Sequence, residues 1–498
     1  MEKYFKETTI FKKKNIDIYV FVICNDLIKN IASITKLLNI ENIPKKFFDE
    51  NKNKIKTNFE KILYTDNFEV LFIGLNDNKS CDNKSLYQAF GTIGKKMNSE
   101  NKKILINLVG NDKNTIRNEV ISYILGFYKF NDFKTTGHDK NYFETFFYHP
   151  KKKFKNDITQ SIYEAIVQNE IRSLINTPAN ILNSTKYASY IKKNMSDNVS
   201  VKILNEDKLK KLGCNLILGV NQGSKNKAMM VILEYGKKTP NNKTIALIGK
   251  GVMFDSGGYN IKHGDFSDMK NDMTGSAIVY AIFKLLSKFK VEGHFVGLLP
   301  LVENMVDANS IRPGDILKAY NGKTVEIIDT DAEGRLIMAD ALAYSVNYKP
   351  YMCIDIATLT GQAAHIFGNK SSVIIGNNIK YTQKMIQSGI DNNEKIWELP
   401  MWEEYIKLTK SNIADLKNYS YESSAGTIMA GAFLSNFIPD KNLLKTNVIK
   451  ESKVNWIHLD IAGVDNLTSN TDTRHYGATG EILRSVFHFL MEHGSNNK

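Results

Sequence analysis

Residues 244–262 read Thr-Ile-Ala-Leu-Ile-Gly-Lys-Gly-Val-Met-Phe-Asp-Ser-Gly-Gly-Tyr-Asn-Ile-Lys. The first five form an apolar run, as in a strand covered on both faces. The chain then enters a glycine-rich loop that carries Lys250 and Asp255. An α/β sheet gathers its sites where strands run out into such loops. Gly249, Gly251, Gly257 and Gly258 would let the backbone approach a phosphate or a metal ion closely. Both nucleotide templates, GxxxxGK[ST] and GxGxxG, are absent.

Outward from this stretch the pattern alternates strand and helix, predicting βαβ units. Strands are expected at Ala228–Leu233, Thr244–Ile248, Gly293–Pro300, Tyr351–Leu359, Ser372–Ile375 and Trp456–Ile461. Helices are expected at Thr274–Phe289, Gly334–Asn347, Met401–Lys410, Gly426–Phe437 and Gly480–Met491. Upstream, Ile16–Cys24, Glu69–Leu75 and Lys103–Val109 read as buried strands and Glu119–Phe130 as a helix. Ile158–Leu174 reads as a long helix leading into Asn176-Thr177-Pro178-Ala179-Asn180. A chain of 498 residues is long for one domain. The expected division is an N-terminal α/β domain over 1–155, a connecting helix over 156–175 and a catalytic domain over 176–498. The fold class is α/β, with a mixed, mainly parallel catalytic sheet flanked by helices.

A second stretch, 329–336, reads Asp-Thr-Asp-Ala-Glu-Gly-Arg-Leu just before an expected helix. Acids are common at helix N-termini, which accounts for Asp331 and Glu333 taken alone. It does not account for their pairing with a second loop that also carries a carboxylate. Hard divalent cations need several carboxylate oxygens, and a pair of cations needs one that bridges. Asp255, Asp272, Asp331 and Glu333 are the candidates.

The net charge of +13 raises the alternative of an additional nucleic-acid-binding role through a basic N-terminal domain. Only six of the 66 basic residues are arginines, at 117, 172, 312, 335, 474 and 484, and 60 are lysines. With so much Asn and Ile beside them, the lysines read as the codon bias of an AT-rich genome. The lysine runs at 12–14 and 151–153 read as solvated faces or linkers. They lack the interleaved aromatics and arginines of a nucleic-acid footprint. Cys24, Cys81, Cys214 and Cys353 have no metal-ligand spacing and read as reduced thiols. There is neither a secretory signal nor an apolar run of membrane-spanning length, so the expectation is a cytoplasmic protein with no membrane partner.

The chain resembles the leucyl aminopeptidase (cytosol aminopeptidase) family. The family signature NTDAEGRL is matched at seven of eight positions by 329–336, with Asp329 in place of the first Asn. Residues 249–262 resemble the family's GKGITFDSGGISIK. Similar agreement runs through NTPAN at 176–180, DIATLTG at 355–361, LPMWEEY at 399–405, IADLKN at 413–418, WIHLDIAG at 456–463 and GATG at 477–480. It covers roughly 171–490; over the first ~150 residues the family's domain is inferred from position alone.

The resemblance implies a metal-dependent exopeptidase acting on peptides. It assigns one divalent cation to Lys250, Asp255, Asp272 and Glu333, and another to Asp255, Asp331 and Glu333. The metal is zinc, manganese, magnesium or cobalt, and mixed N/O ligation does not choose among them. The nucleophile is then a metal-bridging water. Lys262 aligns with the lysine that polarises the scissile carbonyl, and Arg335 with the arginine that holds a bicarbonate ion acting as base. His263 reads as a loop residue. Met269, Thr358, Leu359, Gly361 and Ala462 align with substrate-binding positions, chiefly the S1 pocket. Two departures add negative charge: Asp329 bordering the S1′ side, and Asp465 where some members have an apolar pocket residue. Leu and Met substrates are expected, with basic residues also tolerated. Family members are hexamers, dimers of trimers, which sets the expected assembly.

Overall fold

The computed structural model describes residues 5–8, 16–23, 60–64, 68–74, 82–97, 102–136, 144–239, 243–439 and 454–493. The lysine run 12–14, Cys24 and Cys81 lie outside them. The chain divides into two compact units: 1–169 with 468–476, and 170–467 with 477–498. The helix Lys155–Asn176 crosses that division. The short segment 468–476, read from sequence as part of the catalytic domain, clusters with the first unit.

The first unit is built on a six-stranded sheet. Its strands are β1 (Phe5–Thr8), β2 (Ile18–Ile23), β3 (Glu60–Tyr64), β4 (Glu69–Gly74), β5 (Lys103–Asn107) and β6 (Glu144–Tyr148), in the order β1-β6-β5-β2-β4-β3. Only the β3–β4 pairing is antiparallel. Helices Asn83–Met97 and Lys113–Phe127 pack backbone to backbone at glycines: a Cβ on Gly94 would lie 2.0 Å from the Tyr123 carbonyl oxygen. The second helix starts six residues before the predicted Glu119. Asp112 caps it by accepting from Thr115 N at 2.9 Å, a start signal that the apolar pattern does not carry. Lys151, Lys152 and Lys153 are exposed, as their composition suggests.

The second unit carries a nine-stranded mixed sheet. In chain order its strands are β7 (Val199–Asn205), β8 (Met229–Gly236), β9 (Thr244–Gly249), β10 (Gly251–Asp255) and β11 (His294–Asn304), then β12 (Met352–Ala357), β13 (Ser372–Gly376), β14 (Ile396–Glu398) and β15 (Asn455–Asp460). The order is β14-β13-β15-β12-β9-β11-β8-β7, with β10 pairing β11. The central strands β15, β12, β9 and β11 run parallel, and the outer pairings β13–β15, β11–β8 and β8–β7 are antiparallel. β9, β11 and β12 are buried along their whole length, which explains their mostly apolar sequences; Asp355 inside β12 is the buried exception, accepting from Trp456 Nε1 at 2.6 Å and paired with His458. Helices Thr274–Lys288 and Gly334–Tyr344 cover them, and every residue of the latter is buried.

Three expectations shift. Residues 251–255, read as loop, form strand β10 on the end of β11, so Asp255 stands on a strand. The helix expected from Gly480 begins at Leu483, because Gly480 and Ile482 adopt positive φ of 62° and 77°. The helix expected over 401–410 is only Glu403–Lys407, since Trp402 before it is extended. Among the described residues no helix is long and apolar enough to cross a membrane. Cys214 and Cys353 are buried free thiols.

Candidate metal centre

The sheet brings the two sequence stretches together at the carboxyl ends of β9, β10 and β12. Lys250 follows β9, Asp255 ends β10, and Thr358 follows β12. Asp272 and Glu333 each stand just before a covering helix. Helix N-termini carry partial positive charge, which favours carboxylates there. Asp255, Asp331 and Glu333 each present an oxygen within 4.8 Å of the others.

Two lysines thread this group. Lys250 Nζ lies 2.8 Å from Asp272 Oδ1 and 2.9 Å from Glu333 Oε1, and donates to the Thr358 carbonyl at 2.7 Å. Lys262 Nζ lies 2.7 Å from Asp255 Oδ2 and 2.6 Å from Asp331 Oδ1. Gly334 makes room for the first: a Cβ there would meet Lys250 Cε at 2.4 Å. Gly257, at φ 88°, makes room on the other side, where a Cβ would lie 2.9 Å from Asp331 Oδ1.

The electrostatics are those of a site short of positive charge. Four carboxylates face two ammonium groups. Burial alone would depress Lys250, but Asp272, Glu333 and Asp255 outweigh it and hold the ammonium above its ordinary value. Lys262 is raised in the same way, with Asp255, Glu333 and Asp331 overcoming its desolvation. Burial raises Asp272 well above the usual carboxylate range, against the pull of Lys250. Burial, with the charges of Asp255 and Glu333, pushes Asp331 up to about 7. Burial would raise Glu333 too, but Lys250 and Lys262 bring it below its ordinary value. Asp272 Oδ2 is buried and meets no donor. An unsatisfied buried carboxylate oxygen is costly unless something else binds it. The surplus of carboxylate, the convergent oxygens and the amine on Lys250 together fit divalent cations.

Residues to which the sequence reading gave no role hold this set in place. Asn304, at the end of β11, donates to Asp255 Oδ1 at 2.8 Å and to the Thr330 carbonyl at 3.1 Å. Thr330 Oγ1 donates to the Gly257 carbonyl at 2.7 Å and accepts from Asn260 N at 2.8 Å, clamping the two glycine-rich loops together. Asn418 accepts from Ile328 N at 2.8 Å and donates to the Asp329 carbonyl at 2.6 Å. The position of Asn304 at a strand's carboxyl end was the one available signal. Asn260 and Asn418 stand inside the quoted motifs at 249–262 and 413–418, but nothing in the sequence shows what an amide there bonds to.

Arg335 is buried, and one terminal nitrogen donates to the Asn418 carbonyl at 2.8 Å while its Nε meets no acceptor. Tyr419 lies under the guanidinium, 5.8 Å to the ring centroid. A buried guanidinium with donors to spare fits a planar anion.

A cavity of about 560 Å³ opens beside these groups, walled by Lys262, His263, Phe266, Met269, Asp329 and Asp331 among others. Asp329 also accepts from Asp331 N at 2.8 Å, fixing the Asp-Thr-Asp turn. Thr358 Oγ1 donates to Asp272 Oδ1 at 2.8 Å. Leu359 N and Ala462 N both donate to Asp460, which draws those two expected pocket residues together. A Cβ on Gly361 would meet nothing within 4 Å. Asp465 is half-buried and does not line the cavity. Desolvation pushes its carboxyl up to about 8, with Asp268 and Asp460 adding to the effect.

Residues 169–487 match the family described as "Cytosol aminopeptidase family, catalytic domain". A probable cytosol aminopeptidase from Buchnera aphidicola subsp. Baizongia pistaciae is 35% identical, covering 98% of this chain and 99% of that protein. The crystal structure of the cytosol aminopeptidase from Coxiella burnetii superposes with a TM-score of 0.82 at 25% identity, covering 98% of this chain and 99% of that one. The bottromycin maturation enzyme BotP in complex with Mn shares the fold, with a TM-score of 0.81 at 23% identity over 96% of this chain and 99% of that one. This chain therefore belongs to the cytosol aminopeptidase family and is an aminopeptidase, a hydrolase of peptides.

Proposed function

We propose that the chain removes N-terminal residues from peptides with two divalent cations, one held by Lys250, Asp255, Asp272 and Glu333, the other by Asp255, Asp331 and Glu333. The observation that carries this reading is the surplus of buried carboxylate over lysine, with Asp272 Oδ2 left without a donor. Bound there, such cations supply the charge that makes water a nucleophile near neutral pH and that polarises a carbonyl.

The remaining roles fall to the chain's own groups. Lys250 must give up its proton before its amine can ligate, so loading releases a proton. Lys262 points a strongly held ammonium at the cavity, where it can stabilise negative charge developing on the scissile carbonyl oxygen. Arg335 would hold bicarbonate by its uncommitted donors, and that anion would take the proton from water. The acidic wall, with Asp329 and Asp331, attracts a free α-ammonium and repels a peptide's carboxyl terminus, which favours an exopeptidase working from the amino end.

For specificity, Met269, Thr358, Leu359, Gly361 and Ala462 would form S1, with Leu and Met preferred. Asp465 gives basic side chains a partner, and Asp329 disfavours acidic residues at P1′. Zinc, manganese, magnesium and cobalt all suit the donor set. We place the protein in the cytoplasm as a hexamer, a dimer of trimers, of about 340 kDa for a 56.5 kDa chain. The test is a screen of aminoacyl fluorogenic substrates on chelated protein reloaded with each metal. Metal-restored cleavage of Leu and Met substrates is expected; cleavage of blocked N-termini at equal rate would overturn the exopeptidase reading.

A further inference from the structure

Asp460 closes β15 and is fully buried. Its carboxylate accepts three hydrogen bonds, all from the loops that leave the carboxyl ends of β12 and β15. Oδ1 takes Leu359 N at 3.1 Å and Ala462 N at 3.2 Å. Oδ2 takes the Thr360 hydroxyl at 2.6 Å, and that hydroxyl also meets the Thr427 hydroxyl at 2.7 Å. Among the described residues no cation makes an ion pair with it. A buried charge held only by neutral donors is costly, and the cost is offset when the donors are fixed and convergent.

The donors come from two separate crossings. Leu359 and Thr360 follow β12; Ala462 follows β15. The same β12 loop carries Thr358, whose carbonyl receives Lys250 and whose hydroxyl reaches Asp272. The loop after β15 also lies close to the helix Gly361–Phe367 that continues from the β12 loop: a Cβ on Gly463 would meet Ala364 Cα at 3.2 Å and the carbonyl oxygen of Gly368, which ends that helix, at 2.8 Å. Asp460 thus ties both loops at once.

We propose that Asp460 is a positioning residue that sets the width of the pocket for the substrate's first side chain, by fixing Leu359 against Ala462. It touches neither substrate nor metal. The proposal rests on the reading that these loops form S1. Its chemistry is graded. Asp460→Asn keeps one oxygen for the two backbone donors, and its amide turns the Thr360 hydroxyl toward Thr427. Thr360→Val removes only the Oδ2 bond. Asp460→Ala removes all three.

The experiment uses the full-length protein loaded with Mn²⁺ and has two readouts. The first is amide hydrogen exchange of peptides covering 358–363 and 461–464. The second is the ratio of kcat/KM for Leu over Ala aminoacyl substrates, with metal content and Tm as controls. In Asp460→Ala, exchange at both peptides should quicken about tenfold or more, the scale of losing hydrogen bonds to a charged acceptor. The Leu/Ala ratio should fall about tenfold while metal content stays at the wild-type value. Thr360→Val should lower the ratio about threefold, and Asp460→Asn should restore most of it. If Asp460→Ala does not fold, the last two variants carry the test. Faster exchange with an unchanged ratio in folded, metal-loaded variants would reduce Asp460 to a structural staple and overturn the proposal. Unchanged exchange would overturn it as well. A wild type that cleaves neither substrate would instead overturn the S1 reading, and exchange would still report whether Asp460 holds the loops.

Discussion

Two buried acidic sites in the catalytic unit differ in how much of their bonding capacity is used. Asp340 lies wholly inside, and its carboxylate accepts from Leu216 N, Ile217 N and Tyr320 N at 2.8–3.1 Å. Burial pushes it up to about 7, and every contact it makes is internal. The Asp255–Asp272–Asp331–Glu333 group is as deep over most of its extent, yet Asp272 Oδ2 has no donor. Its two lysines leave two negative charges uncompensated. A structural carboxylate is saturated by the fold; a functional one keeps capacity for something the fold does not supply.

Substitutions at the two sites should therefore act on different observables. Asp255→Ala should cost at least ~1000-fold in peptidase rate, the scale of losing a principal electrostatic catalyst. Its effect on the stability of the metal-free protein should be small, because one repelling charge is removed along with Lys262's partner. Asp340→Ala should do the reverse. It should destabilise by about 2–4 kcal/mol by leaving three backbone donors buried and unpaired, with metal content intact. Denaturant unfolding of metal-free protein beside steady-state rates checks both. Equal stability losses at the two positions would break the comparison.

Next in size is Arg335→Ala, expected to keep metal and fold but lose about 100-fold in rate. Arg335→Lys should rescue only part, because a planar anion needs the guanidinium fork. Added bicarbonate should help the wild type more than Arg335→Ala, and an identical response in both would rule the anion role out.

The smallest effect concerns specificity. Asp465→Met should lower the Arg/Leu ratio of kcat/KM about tenfold, or ~1.4 kcal/mol. The sign with pH follows from the raised carboxyl: below about 8 it is mostly neutral and above it charged. The wild-type Arg/Leu ratio should therefore rise between pH 7 and 9, and that of Asp465→Met should not. A flat ratio in the wild type would show that Asp465 does not face the bound side chain.

How far the sequence reached depends on the kind of signal. β9, β11 and β12 were legible because strands buried on both faces are mostly apolar, with only Asp355 inside β12 and polar residues at the ends of β9 and β11 interrupting them. Asp255, Asp331 and Glu333 stood out as candidates because two separate loops carry carboxylates, whereas Lys250, one of 60 lysines, was singled out only by the resemblance to the family's motif. The roles of Asp460 and Asp340 were not legible, since most of their donors come from segments about twenty to more than a hundred residues away, and such a carboxylate looks in sequence like any other acid. Asn304 stood outside the motifs, and Asn260 and Asn418 stood inside them without any sign of the hydrogen bonds they make. β10 was read as loop because its glycines and Asp255 suggested a turn, whereas pairing with β11 holds it extended. The late start of the last helix turns on the left-handed backbone of Ile482, which no side-chain pattern announces.

The central claim is that the unspent carboxylate capacity belongs to metal ions. It is tested most directly by measuring metal content and peptidase rate on the same sample during chelation and reloading. Activity should vanish with the last metal and return as two ions per chain are restored, with protons released on loading. Full activity in exhaustively stripped protein, or saturation without any bound metal, would contradict it.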